Sequence, residues 1–175
     1  MSVLPVDLAP VVAATARWLA RAYPAPEAGA FGAALVELQA RQAVTVAAWL
    51  RYPTALDAEL LTIAGPGGSA RLDWVAGADS DDVGGDEEAW RAWVDEVVAS
   101  WAACLLADGA TALAAVRTLA RASGATGLGP RFRRLLEPDG QDSHAAALLR
   151  HPDLVGPIAD LHRAGLTEHL DSVAA

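Results

Sequence analysis

WRAWVDEVVASWAACLLA, residues 90–107, is the stretch of this chain that best indicates its fold. At about 100° of rotation per residue, its large apolar side chains fall within one arc of roughly 120°. Half of the chain's six tryptophans lie in that arc, which consists of Trp90, Trp93, Val94, Val97, Trp101, Cys104 and Leu105. The pattern predicts one continuous amphipathic helix that is capped by Asp86 and ends near Asp108.

Apolar residues recur with a helical period on both sides of this segment. They predict helices over residues 7–23, 27–51, 111–123, 130–136 and 143–151, and a last helix from Pro157 onward. A helix start at Thr54 and a small β-hairpin near residues 60–75 both fit the intervening stretch, and the hairpin fits it better. We therefore predict a mainly α fold, a compact bundle of six or seven helices that forms a single domain over residues 1–175.

The charge composition excludes several classes of function. The net charge is −9 and the pI is about 4.7, which opposes binding to nucleic acids and to anionic membranes. All 13 basic residues are arginine, a bias typical of a high-GC genome. Because the sequence contains no lysine, Schiff-base catalysis and a phosphate-binding P-loop lysine are excluded.

No sequence feature directs the chain to a membrane or to an oxidising compartment. The longest apolar run without a charge, residues 97–107, is about half of what a bilayer span requires. Residues 1–16 lack the basic start of a signal peptide, and Asp7 interrupts them. Cys104 is the single cysteine and lies on the apolar stripe, so we expect a buried thiol and a cytoplasmic protein.

The tryptophan stripe follows the most acidic segment of the chain, residues 78–88. Tryptophan anchors many protein interfaces, so we predict that Trp90 and Trp93 bind a partner together with Asp81 and Asp82. A calcium-binding EF-hand loop is excluded, because a count from Asp79 places Trp90 where the bidentate glutamate should stand.

A second candidate site lies where glycines precede a basic cluster. Gly127 and Gly129 lead into a short predicted helix, and its backbone N–H groups would suit an anion together with Arg131. Arg133 and Arg134 complete the cluster, which we predict to contact an acidic partner. No strand precedes the glycines, so the Rossmann and P-loop contexts are not met.

The four histidines give a weaker signal for chemistry. His144, His151, His162 and His169 are too far apart within each predicted helix to share one metal ion. No serine lies in a nucleophile elbow. We therefore predict no catalytic residue, metal or cofactor. Gln39 and Gln42 interrupt the apolar face of their helix and either line a groove or bond to a neighbouring loop.

These observations favour a non-enzymatic protein-interaction protein: an adaptor, an assembly chaperone or a small accessory subunit that binds another protein or itself. One alternative is an enzyme that binds a small molecule or anion in a pocket built from the late histidines and the glycine–arginine loop. The other is a structural self-assembling subunit. No motif in the sequence identifies a known family.

Overall fold

The computed structural model describes residues 7–25, 29–78 and 89–174. All regular secondary structure in these ranges is helical and none of it is strand, which confirms the mainly α prediction. The bounds are α1 Ala9–Ala22, α2 Gly29–Arg51, α3 Ala55–Ala64, α4 Ser69–Ala76, α5 Glu96–Ala107, α6 Gly109–Ser123, α7 Leu128–Arg131, α8 Arg133–Leu136, α9 Gly140–Ala145, a 3-10 turn Leu148–Arg150, α10 Pro152–Asp160 and α11 Arg163–Ala174.

The prediction of six or seven helices is wrong, because the described residues contain twelve bounded helical elements. The difference arises mainly from helices of one or two turns. For example, the predicted helix over residues 130–136 is divided at Phe132 into α7 and α8. Periodicity locates such a segment, but it does not resolve where the backbone hydrogen bonds are interrupted.

The predicted β-hairpin is also wrong, because α3 and α4 occupy its residues. Thr54 and Asp57 form a capping box that starts α3, as the alternative interpretation expected. The hairpin required Leu61 and Ile63 to face inward together, but Leu61 is buried whereas Ile63 is 81% exposed. In segments this short, the same apolar residues fit both the helical period and the strand period. The length of the segment and the burial of its side chains decide between helix and strand.

The tryptophan segment is not one helix. Residues 89–91 are helical, the chain leaves the helix over residues 92–95, and α5 begins only at Glu96. The side chain of Asp95 accepts a hydrogen bond from the backbone N–H of Val98 at 3.1 Å and so caps α5. Aspartate stabilises a helix start better than a helix interior, so this local preference outweighs the continuous apolar stripe.

The core lies where α2 packs against α1, α5 and α6. Alanines cover the contact faces of α2 and α5 and allow the helices to approach closely; Ala40, Ala43, Ala47, Ala99, Ala102 and Ala103 are fully buried. Cys104 lies in this core, and its thiol donates to the Ala159 carbonyl at 3.2 Å. Burial raises the pKa of the thiol, so it remains protonated at neutral pH. The expected buried thiol is therefore confirmed.

None of the described helices is both long and apolar enough to cross a bilayer.

The short connection between α3 and α4 requires glycine at position 68. Gly68 has a φ of +58°, and a Cβ there would lie 2.5 Å from Oε2 of Glu96 and 3.1 Å from its Cβ. We expect Gly68→Ala to lower the free energy of unfolding by about 1–2 kcal/mol, because alanine is strained in the left-handed region. Urea denaturation followed by circular dichroism measures this difference. Gly140→Ala is the control, since a Cβ at Gly140 meets no atom within 4 Å. Equal losses in the two variants would contradict the prediction.

Candidate functional site

A groove of about 320 Å³ lies between the start of α1 and the face of α3 that carries Ala58 and Leu61. Leu8, Val11, Ala58 and Leu61 form its apolar floor, and each of them is at least nine-tenths buried. Trp93 closes one side of the groove and is 36% exposed. Pockets that bind small molecules usually measure roughly 300–1,000 Å³. This groove lies at the lower end of that range, so it suits one or two side chains of a bound segment better than a drug-sized ligand.

The helix that borders the groove presents most of its apolar side chains to solvent. Leu56, Leu60 and Ile63 are 65%, 54% and 81% exposed, whereas only Ala58 and Leu61 of α3 are buried. The exposed three are spaced i, i+4 and i+7 and therefore lie on one face of the helix. We call this face the α3 stripe. Apolar side chains that cluster at a surface, rather than scatter singly, are typical of interaction sites.

A charged residue separates the α3 stripe from the groove. Glu59 lines the groove and stands four residues before Ile63, so the two side chains are neighbours on the helix surface. Asp7 lines the opposite edge, where its Oδ1 accepts a hydrogen bond from the backbone N–H of Ala9 at 3.0 Å. No basic residue of the described chain lines the groove. The surface therefore combines apolar contacts with a negative rim.

A buried hydrogen bond joins the segments that flank α3 and Trp93 in the sequence. The buried hydroxyl of Tyr52 donates a hydrogen bond to Oδ2 of Asp95, the residue that caps α5. Burial, together with this hydrogen bond, raises the pKa of Tyr52 far above its usual value, so the phenol stays neutral and remains a donor. Tyr52 directly follows α2, and α3 begins three residues later. This side-chain hydrogen bond thus joins the connection before α3 to Asp95, which lies two residues after Trp93.

The other residues predicted near Trp93 have different positions. Trp90 is only 8% exposed and belongs to the core, where Arg91 lies 5.9 Å from its ring centre and forms an ion pair with Asp73 at 2.9 Å. Asp81 and Asp82 lie outside the described residues. Of the predicted tryptophan surface, the structure therefore places Trp93 alone beside a groove.

The arginine cluster is divided among separate contacts. Arg131 stacks on Trp49, with its guanidinium 4.7 Å from the ring centre, and Arg134 forms an ion pair with the fully buried Asp142. Arg133 is exposed. Gly127 and Gly129 lie at the start of α7, which is only four residues long. Such a short helix contributes little dipole to an anion, so the structure adds no support to the predicted anion site.

The two glutamines that interrupt the α2 face bond to neighbouring segments. Gln39 is fully buried and donates to the Asp142 carbonyl at 2.9 Å, and Oε1 of Gln42 accepts from the Leu135 N–H at 3.0 Å. Neither residue lines the groove. Of the two interpretations offered by the sequence, the structural one is therefore confirmed.

The histidines do not converge on one site. His144 and His151 are exposed, and His169 stacks against Trp101 at 5.8 Å. Nε2 of His162 lies 2.8 Å from Oε1 of Glu96, an oxygen that also accepts from Arg71 at 3.1 Å. In the described part of the chain, no three histidine, cysteine, aspartate or glutamate residues are grouped so that they could hold a metal ion.

Sequence reasoning missed the α3 stripe. The i, i+4, i+7 spacing of Leu56, Leu60 and Ile63 was a usable signal, but the hairpin interpretation assigned the second half of this segment to a strand. Even a correctly predicted helix would not have shown whether this apolar face packs against the core or is exposed to solvent. Only the packed structure shows that Ala58 and Leu61, not the larger side chains, attach α3 to the core.

No family model matches the chain, and comparisons with curated proteins and with solved structures also return no match.

Proposed function

We propose that this is a non-enzymatic interaction protein of the cytoplasm, which binds another protein through the α3 stripe and the adjoining groove. The observation that supports this most directly is the exposure of Leu56, Leu60 and Ile63 along one face of a helix. Their burial by a partner would contribute on the order of 25 cal/mol for each Å² of apolar surface removed from water. An adaptor, assembly chaperone or accessory subunit works through such a surface.

The geometry also favours a protein partner over a small molecule. The stripe is convex and runs along a helix, so it suits a complementary helix or extended segment rather than an enclosed ligand. The groove beside it accepts one or two side chains of such a segment. Trp93 at its edge is of the residue type that most often dominates binding energy at an interface.

Site-specific photo-crosslinking at Ile63 in the protein's own host tests the proposal. We expect a reproducible cross-linked protein, either a different chain or a second copy of this one. Phe31 is the matched control, because it is 67% exposed but lies 20 residues before the end of α2, about 30 Å along that helix.

Two results would overturn the proposal. One is the absence of any cross-linked protein at Ile63, and the other is the same set of products from Ile63 and Phe31. A second variant, Leu60→Glu, is expected to abolish the Ile63 product without changing the far-ultraviolet circular dichroism, since Leu60 is 54% exposed.

A further inference from the structure

We infer that the segment bound at the groove is a cationic one, in which an apolar side chain enters beside Trp93 and an adjacent arginine or lysine pairs with Glu59 and Asp7. This inference rests on the proposed function and names the chemistry of the partner. It is carried by the charge of the groove lining, where both ionisable residues are carboxylates and basic residues of the described chain are absent.

Neither carboxylate is neutralised by a nearby cation in the described residues. Glu59 has no ion pair or hydrogen bond there, and Asp7 accepts only the backbone N–H of Ala9. Some exposed acids elsewhere are paired with arginine, as in Arg41–Glu37 and Arg163–Asp160. The groove therefore places two negative charges beside an apolar floor, with no counterion among the described residues. A cation from a partner would supply one.

The chain as a whole has the same sign of charge. Its net charge is −9. A partner that approaches Trp93 therefore meets a negative field before contact, which accelerates association with a cationic segment. A segment with acidic flanks would be repelled by the same field.

The partner's shape follows from α3. Helix α3 has ten residues and spans about 15 Å, so a partner helix of roughly three turns would cover the α3 stripe. Apolar side chains of that helix would pack against Leu60 and Ile63, and a basic residue at the edge of its apolar face would reach Glu59. This arrangement matches the usual anatomy of a small interface, in which an apolar centre is bordered by charged pairs.

Two synthetic peptides test the inference by isothermal titration calorimetry with the full chain. Both are amphipathic helices with the same leucine face; one carries lysine on its polar face and the other carries glutamate. We expect the lysine peptide to bind at least about tenfold more tightly. Asp7→Asn combined with Glu59→Gln should weaken lysine-peptide binding about threefold to tenfold, as two surface ion pairs would. Asparagine at position 7 keeps the acceptor for the Ala9 N–H.

The control is Glu168→Gln combined with Asp171→Asn, which removes the same charge from α11. We expect it to leave the affinity almost unchanged. The inference is overturned if neither peptide binds, if the two variants have equal effects, or if both peptides bind equally well. If both peptides bind equally well and Leu60→Glu abolishes the binding of both, the proposed function stands, but the bound segment need not be cationic. The proposed function itself is judged separately by the cross-link at Ile63.

Discussion

Replacement of Asp142 by alanine is expected to lower the free energy of unfolding by about 3–5 kcal/mol, the usual cost of removing one partner from a buried ion pair. The carboxylate is fully buried and pairs with Arg134. It also forms a capping box with Asp139 at the start of α9. The substitution therefore leaves the guanidinium of Arg134 without its counterion and removes one of the two hydrogen bonds of the capping box, the one that the Asp139 N–H donates to the Asp142 carboxylate.

Arg150 adds to this expected loss. Both of its terminal nitrogens are buried without a hydrogen-bond partner among the described residues. Burial lowers the pKa of the guanidinium, and the charge of Asp142 acts in the opposite direction. Without that carboxylate, the charged form of Arg150 loses the compensating charge of Asp142. An uncompensated buried charge is costly.

Urea denaturation followed by circular dichroism measures the effect of Asp142→Ala. Asp160→Ala is the control, because that carboxylate pairs with Arg163 at a largely exposed position, where loss of the pair costs at most about 1 kcal/mol. Similar midpoints for the two variants would show that the buried ion pair does not stabilise the fold.

Trp18→Ala is expected to lower the free energy of unfolding by about 3–5 kcal/mol, whereas Trp74→Ala should change it by no more than about 0.5 kcal/mol. Trp18 is 1% exposed, and its indole N–H donates to the buried Asp73 at 2.8 Å. Alanine there would leave a cavity in the core and remove a donor from that carboxylate. Trp74 is 83% exposed and has neither role.

The two tryptophan variants are compared by thermal and urea unfolding under one set of conditions. Their contrast tests the burial pattern directly, because each removes an indole from a helix and replaces it with the best helix former. A large loss in Trp74→Ala would mean that this side chain is covered. A small loss in Trp18→Ala would contradict its place in the core.

Much of the fold could be predicted from the sequence because long helices repeat their apolar residues many times. The end of α2 at Arg51 and the end of α6 at Ser123 were located correctly, since Pro53 and Gly124 mark them. The break before α5 was not predicted. There the apolar stripe and the capping preference of Asp95 favour different structures, and only the packed chain shows which one prevails.

The candidate site was predicted only in part. Trp93 was predicted to lie at an interface because tryptophan anchors many interfaces. The same prediction was made for Trp90, on the same stripe, but Trp90 is buried. Their different exposure follows from the turn over residues 92–95, which removes Trp93 from the face that Trp90 occupies. The α3 stripe could not be assigned to the surface from periodicity, because an amphipathic pattern does not say which apolar side chains find a neighbour.

Because the six indoles are unequally buried, the intrinsic tryptophan fluorescence of this chain can report on the groove. Trp18, Trp90 and Trp101 are buried and Trp49 is half-buried, whereas Trp74 and Trp93 are the two exposed indoles. Once Trp74 is replaced by phenylalanine, Trp93 becomes the indole most accessible to a collisional quencher. Its emission then reports whether the groove is occupied, without any attached dye.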